Sequence, residues 1–540
     1  MMTVSSHTKA RLALAASSGI ALAIAFPKVD LNLMAWVAFI PLLYALKDLP
    51  LRSVFGYAWL QGMVFHLASL YWVVITLHNF TEVSLAVAVL PLLLLAAILA
   101  VDVAASFLVG EYVARRLRIP LFVTLPIAWT AFEWVRTYFP IGFPWNLLGY
   151  AAYRNLALIQ FSEFTGVYGV SALIMFFNTV VFGVLFAERL RRREMWSLSA
   201  LTALMVAAVA FGTVRVGEVS SRPAAGSLKV AMVQANIPQS IKWNPAALPG
   251  NLRIYSEQSE VASRQHVDLI VWPEAAATFI FQPDDRYPAS LAEDAEYRSQ
   301  ILDLARQTGD PILFGAPALE LDHRPIASYN RAYLVSGQGQ VVSYYDKMQL
   351  VPFGEYVPMH AVLGYFVNRI VVGMGQFVPG QEHTLFDVKG AKLGVLICYE
   401  SVFPNLTREA VAAGADILVN ITNDAWYGES SAPYQLLAMA AMRAAETHTP
   451  MIRVANTGIS AVITPTGAIT ARTDLFTRDT EIETVSWDVG RTVYSMVGDV
   501  FAELCFALSV IGVLWAWIRP RKQKPLEAFT AGLMTSNGHR

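Results

Sequence analysis

Three residues of this chain have types and positions suited to acyl transfer: Glu274 at the end of VDLIVWPE, Lys347 after VVSYYD, and Cys398 within KLGVLICYE. A thiol of ordinary pKa near 8.5 becomes a good nucleophile only when a base takes its proton or a cation favours the thiolate. The carbonyl oxygen it attacks needs a positive or hydrogen-bonding site for its developing charge. Glu274 can serve as the base and Lys347 as the cation. No histidine is placed to act as the base, and the 9 histidines form no cluster with metal-ligand spacing. Neither a metal nor a cofactor is therefore expected.

All three residues end apolar runs, so the elements that position them are strands. From Leu228 the chain alternates short apolar runs with polar helices. LKVAMVQANI, VDLIVWPE, PILFGAPAL, RAYLV, VVSYY, KLGVLICYE, DILVNIT, MIRVANTG and SAVIT read as strands, and helices fit near 248–265, 290–307, 405–413 and 433–447. Repeated strand-then-helix order predicts an α/β domain whose chemistry lies where loops converge at strand ends.

Outside this region the composition changes. The 540 residues are 55% hydrophobic and 15% charged, against roughly 25% charged in soluble chains. The apolar excess falls before residue 215 and after 500, which predicts membrane segments around one insertion: a transmembrane region over 1–225, a catalytic domain over 226–495, and a last span with a tail over 496–540. Apolar runs at 11–27, 31–46, 54–77, 84–110, 119–138, 164–187, 197–214 and 500–518 are candidate spans. The second is short and carries Pro41. The first has Ala21-Leu22-Ala23 and Ala23-Ile24-Ala25, which resemble signal cleavage sites.

Basic residues collect on one set of connections: Lys9 and Arg11; Lys47 and Arg52; Arg115, Arg116 and Arg118; Arg189 and Arg191 to Arg193; and Arg519, Arg521, Lys522 and Lys524. Cytoplasmic segments collect such charge, so both termini are expected inside and 226–495 outside. Within the spans, Glu133 and Arg136 stand three apart and are expected to pair. The loop Gly142-Phe143-Pro144-Trp145-Asn146 is expected at the outer membrane surface, as a loop or a docking surface. A net charge of -1 gives no basic face for nucleic acid. Cys398 and Cys505 cannot form a disulfide framework for the middle domain.

The order Glu in VWPE, Lys in YYDK and Cys in ICYE resembles the signature of the nitrilase superfamily, whose fold is a four-layer αββα sandwich. With the apolar spans, GFPWN, QANIPQSIKW, VPFGEYVP and NDAWYG, the whole chain is similar to the bacterial apolipoprotein N-acyltransferase family. The resemblance implies a multi-pass enzyme of the bacterial inner membrane with its catalytic domain in the periplasm. It implies a phospholipid acyl donor, a Cys398 thioester, and as acceptor the α-amine of a diacylated apolipoprotein cysteine. Glu355 resembles that superfamily's additional glutamate and is expected to orient Lys347 or to help handle protons. Tyr399 is expected to offer a backbone donor, and Glu400 to order the loop beside the nucleophile. Trp243 and Trp426, in loops after strands, suit lipid contact. The apolar stretch 359–378, including Phe366 and Ile370, is expected to dip into the bilayer or cover the site. The competing reading is a membrane-anchored amidase with water as acceptor.

Overall fold

The computed structural model describes residues 6–80, 83–189, 191–281, 292–320, 326–357, 377–488 and 490–519. Alternation along β1 (Gly226–Gln234) assigns its two faces. Leu228, Val230 and Met232 enter one core, and Ala231 and Val233 enter another. The first core lies between two sheets, because it also holds Leu393, Val395 and Ile397 of β7 (Ala391–Ile397) and Ile417, Val419 and Ile421 of β8 (Ile417–Thr422). The second is roofed by helices Leu248–Ser263 and Ala292–Thr308. Helices Pro404–Ala412 and Ala432–Thr447 cover the outer face of the other sheet. The layers are therefore αββα, as the resemblance implies.

Each sheet has six strands. In the first, β12 (Asp479–Trp487) lies beside β1, followed by β2 (Leu269–Val271), β3 (Ile312–Glu320), β4 (Ala327–Val335) and β5 (Val341–Asp346). The second runs β11 (Ile469–Arg472), β10 (Ala461–Ile463), β9 (Met451–Ala455), β8, β7, β6 (Leu385–Val388). Strands β1, β2 and β3 are parallel, and so are β7, β8 and β9. Two successive antiparallel pairings, β3 with β4 and β4 with β5, turn β5 back to the direction of β2. The ends of β2 and β5 thus open on the same edge. Sequence patterning misses β6, β11 and β12, whose mixed composition follows from half-exposed positions.

Every apolar run forms helix, but not every helix is a regular span. Among the described residues four helices are long and apolar enough to cross a membrane: Leu85–Leu117, Val167–Leu185, Arg192–Ser220 and Val500–Ile518. A fifth is the pair Leu51–Ser69 and Trp72–Asn79, bent by 50°. The run at 31–46 splits into a 3₁₀ turn, Asn32–Trp36, and the short helix Ile40–Leu46, which carries Pro41 in its first turn. Leu121–Tyr138 is diluted by Glu133 and Arg136, and Ser6–Ile24 by His7, Lys9 and Arg11.

Two local expectations change. Glu133 and Arg136 do not form the expected ion pair. The Glu133 carboxylate accepts the Leu148 N–H at 2.6 Å, while Arg136 lies 3.5 Å from Asp102 on the neighbouring helix. Spacing permits the pair, but each group turns to a neighbouring element, Glu133 to a backbone N–H and Arg136 toward Asp102 at ion-pair distance without a hydrogen bond from its Nε. The GFPWN loop is not a free surface either. Trp145 and Asn146 are buried, and Trp145 Nε1 donates to Gln435 Oε1 at 2.7 Å, so the loop docks onto the αββα part of its own chain. The 359–378 stretch lies outside the described residues up to position 376, Phe366 and Ile370 included.

Candidate active site

Glu274 follows β2 by three residues, Lys347 follows β5 directly, and Cys398 follows β7 directly. All three side chains are buried and converge on one edge of the sandwich. Lys347 Nζ donates to Glu274 Oε1 at 3.2 Å and to Glu355 Oε1 at 2.9 Å. Asn330 of β4 joins the same two carboxylates, with its Nδ2 at 2.8 Å from each Oε1. The Asn423 N–H, just past β8, reaches Glu274 Oε2 at 2.9 Å. Gly315 of β3 lets that strand lie against the Glu274 turn, since a Cβ there would come within 2.5 Å of Ala275 N and 2.8 Å of Glu274 Cα.

The charges are strongly conditioned by this packing. Burial alone would push Glu274 up, but Lys347, Asn330, Lys242 and the Cys398 thiol outweigh it and hold the carboxyl below its usual range. Burial opposes the Lys347 charge, yet Glu274 and Glu355 raise it above an ordinary lysine. Burial, and then the Glu274 charge, push the Cys398 thiol up, with Lys347 opposing. A protonated thiol beside an ionised carboxylate is therefore the resting pair. The carboxylate is ready to accept the proton as the sulfur attacks.

Cys398 itself has φ +53°, a left-handed conformation that turns the chain sharply from β7 into the 3₁₀ turn Cys398–Val402. The turn is fixed from inside. Asn420 Nδ2 donates to Leu396 O at 3.1 Å and Cys398 O at 3.3 Å, and Arg453 of β9 bonds both Asn420 Oδ1 and, at 2.7 Å, Asp424 Oδ2. Glu400 is fully buried. It accepts the Met348 N–H at 2.6 Å, the Gln349 N–H at 3.1 Å, the Tyr345 hydroxyl at 2.9 Å and the Ile397 N–H at 2.6 Å. It thus ties the backbone after Lys347 to the backbone before Cys398. Glu400→Gln turns an amide donor toward one of these N–H groups and is expected to cost on the order of 3 kcal/mol. The amide nitrogen takes the place of Oε2, which has the single Ile397 N–H partner, so a lowered melting temperature with faster hydrogen exchange at Ile397 checks this; unchanged exchange there contradicts it.

The Tyr399 ring stacks on Trp145, centroids 6.3 Å apart, and its hydroxyl donates to Gly142 O at 3.4 Å, so the helical half supplies one wall of the site. Trp72 and Tyr427 extend this wall. Trp243 and Trp426 stand apart from the buried centre, 47% and 38% exposed. Asn330 and Arg453 carry no role in the sequence reading, and Lys242, Asn423 and Asp424 enter it only inside the motifs QANIPQSIKW and NDAWYG, with no role of their own. Arg453 and Asn420 carried a readable signal, since each interrupts a wholly apolar strand, and such a residue is buried with a partner or not at all.

Known proteins bear on this arrangement. The carbon-nitrogen hydrolase family matches residues 229–493, and the apolipoprotein N-acyltransferase N-terminal domain matches 18–180. The apolipoprotein N-acyltransferase of Geobacter metallireducens is 38% identical over 514 residues, covering 94% of this chain and 95% of that one. That of Azotobacter vinelandii is 32% identical, covering 95% of each. Among solved structures, an amidase from Nesterenkonia sp. is 21% identical with a TM-score of 0.37, covering 52% of this chain and 97% of that one. Agreement along nearly the whole length, through both the helical half and the sandwich, means that the chain belongs to the apolipoprotein N-acyltransferase family.

Proposed function

We propose that the protein transfers an acyl chain from a phospholipid to the α-amine of an S-diacylglyceryl cysteine at a lipoprotein N-terminus, through a thioester on Cys398. The observation that carries this is the buried convergence of Glu274, Lys347 and Cys398 beside an aromatic wall in which Trp145, from a loop of the helical half, stacks on Tyr399. In the first half, Glu274 takes the thiol proton as Sγ attacks the ester carbon. Lys347, with a backbone N–H near Tyr399, stabilises the oxyanion. Collapse expels the glycerol oxygen, which takes the proton from Glu274 and leaves as lysophospholipid. In the second half the amine attacks the thioester, Glu274 accepts its proton, and the departing thiolate receives it back. One site used in turn gives ping-pong kinetics.

Glu355 holds Lys347 in place, and Glu400 orders the loop between cation and nucleophile. Trp243 and Trp426 are the lipid-contacting residues of this reading. The aromatic wall limits water, which favours an amine as acceptor. Purified protein incubated with phospholipid and a diacylated lipopeptide should add one acyl mass to the lipopeptide. Free fatty acid without acylated peptide would instead identify a hydrolase.

The division at 1–225, 226–495 and 496–540, eight membrane passages, cytoplasmic termini and a periplasmic catalytic domain belong to the same proposal, on the distribution of Lys and Arg. A reporter active only outside the cytoplasm, inserted near Gly337, should be active, and the same reporter at the C-terminus silent. The opposite pattern reverses the orientation.

A further inference from the structure

Among the described residues, Lys242 is the fully buried lysine that the mechanism above leaves unused. It ends the short turn Gln239–Lys242 and is 0% exposed. Its Nζ donates to the main-chain oxygen of Glu274 at 3.0 Å and makes no ion pair among the described residues. A buried ammonium without a carboxylate partner is costly, so its persistence calls for a compensating charge nearby.

The charge count supplies one. Lys347 is shared between two carboxylates, Glu274 and Glu355, which leaves one negative charge uncompensated in a buried site. The other ionisable groups are Cys398, a thiol at rest, Asp424, already paired with Arg453, and Glu400, which is met by three backbone N–H groups and the Tyr345 hydroxyl rather than by a cation and so adds no positive charge to the count. Moving the thiol proton to Glu274 and the negative charge to an oxyanion leaves that excess unchanged. Lys347 alone therefore faces Glu355 and the oxyanion together.

We propose that Lys242 is a positioning residue for acyl transfer: acting through Glu274, it supplies the second cation that balances the site and keeps the base ionised. This rests on the thioester reading above. Burial lowers Lys242 to about 8, and the Glu274 charge beside it favours the ammonium form.

The test uses the full-length protein in detergent, with phosphatidylethanolamine as donor and no acceptor, reading acyl mass gained on the protein against time from pH 4 to 9. Lys242→Met is expected to slow acylation roughly 10- to 100-fold at pH 7 and to move the acidic midpoint of the rate upward by about one unit. The direction follows because loss of a cation makes Glu274 easier to protonate. Lys242→Arg keeps the charge, so it should hold the acidic midpoint at the wild-type value, recover most of the rate, and carry the alkaline decline above pH 8. A Lys242→Met protein with wild-type rate and midpoint overturns the proposal. So does one that is slow with an unmoved midpoint and is not rescued by Arg, which is the behaviour of a mere space-filler. If Lys242→Met does not fold, Lys242→Arg decides: a shifted acidic midpoint or an unmoved alkaline limb overturns the proposal. Wild type that gains no acyl mass overturns the thioester reading itself, and with it this one.

Discussion

Cys398→Ala is expected to gain no acyl mass from phospholipid and to lose lipopeptide acylation by a factor on the order of 10³ or more. Wild type should gain one acyl chain, removable by hydroxylamine, when no amine is present. The effect is large because the attacking atom itself is removed, whereas the side chain contributes little to folding beyond its share of the inter-sheet core. Cys398→Ser keeps the geometry but offers a hydroxyl that is harder to ionise, and an oxygen ester that is less reactive toward amines. It should acylate slowly and turn over poorly. Mass spectrometry of the intact protein reads wild type and both variants. Equal turnover by wild type and Cys398→Ala would falsify the mechanism.

Lys347→Met is the second change with a large effect, and it should act on stability and rate together. Lys347 is 1% exposed and is the shared partner of Glu274 and Glu355. Removing it leaves the buried Glu274 and the part-buried Glu355 without their shared cation, and breaking such an arrangement costs about 3 kcal/mol. Acylation should also fall about 10²- to 10³-fold, because the oxyanion loses its nearest cation. Glu274, released from that cation, should titrate higher, so the remaining activity should decline at a higher pH as acid is added. A variant that folds as well as wild type and keeps its rate would remove Lys347 from the mechanism. A double variant, Lys347→Met with Glu355→Gln, should regain part of the stability but not the rate, since it relieves repulsion without restoring a cation.

How far the sequence reached can be seen residue by residue. Glu274, Lys347 and Cys398 were legible because each ends an apolar strand in a known order, and strand ends are where an α/β sheet gathers its loops. Glu400 was legible only by adjacency. Its work, bonding Met348 and Gln349 across 52 and 51 residues, depends on β5 and β7 ending side by side. Asn330 was not legible, because its strand read simply as RAYLV, and nothing in a single sequence says that β4 passes beneath both carboxylates. Lys242 was hidden for a related reason. It lies between Ile241 and Trp243, which are 43% and 47% exposed, so the chain around it reads as surface while its own side chain turns inward. The membrane helices were legible as apolar runs, but their partners were not. Asp102 lies deep in the 84–110 run, and Arg136 points toward it.

The helix Ala432–Thr447 is buried at every position except Tyr434. One side completes the outer layer of the second sheet, and the other packs against the membrane helices. Arg443 and Glu446 pair within it, and Glu446 also accepts the Val167 N–H at 2.6 Å, while Gln435 takes the Trp145 indole N–H. A helix with two cores has no solvent face to fall back on. A catalytic half expressed without its anchor would present that helix bare, as an adhesive apolar strip carrying an arginine and a glutamate stripped of their surroundings. The two halves are thus one folding unit, and engineering a soluble version would mean redesigning this helix before touching any catalytic residue.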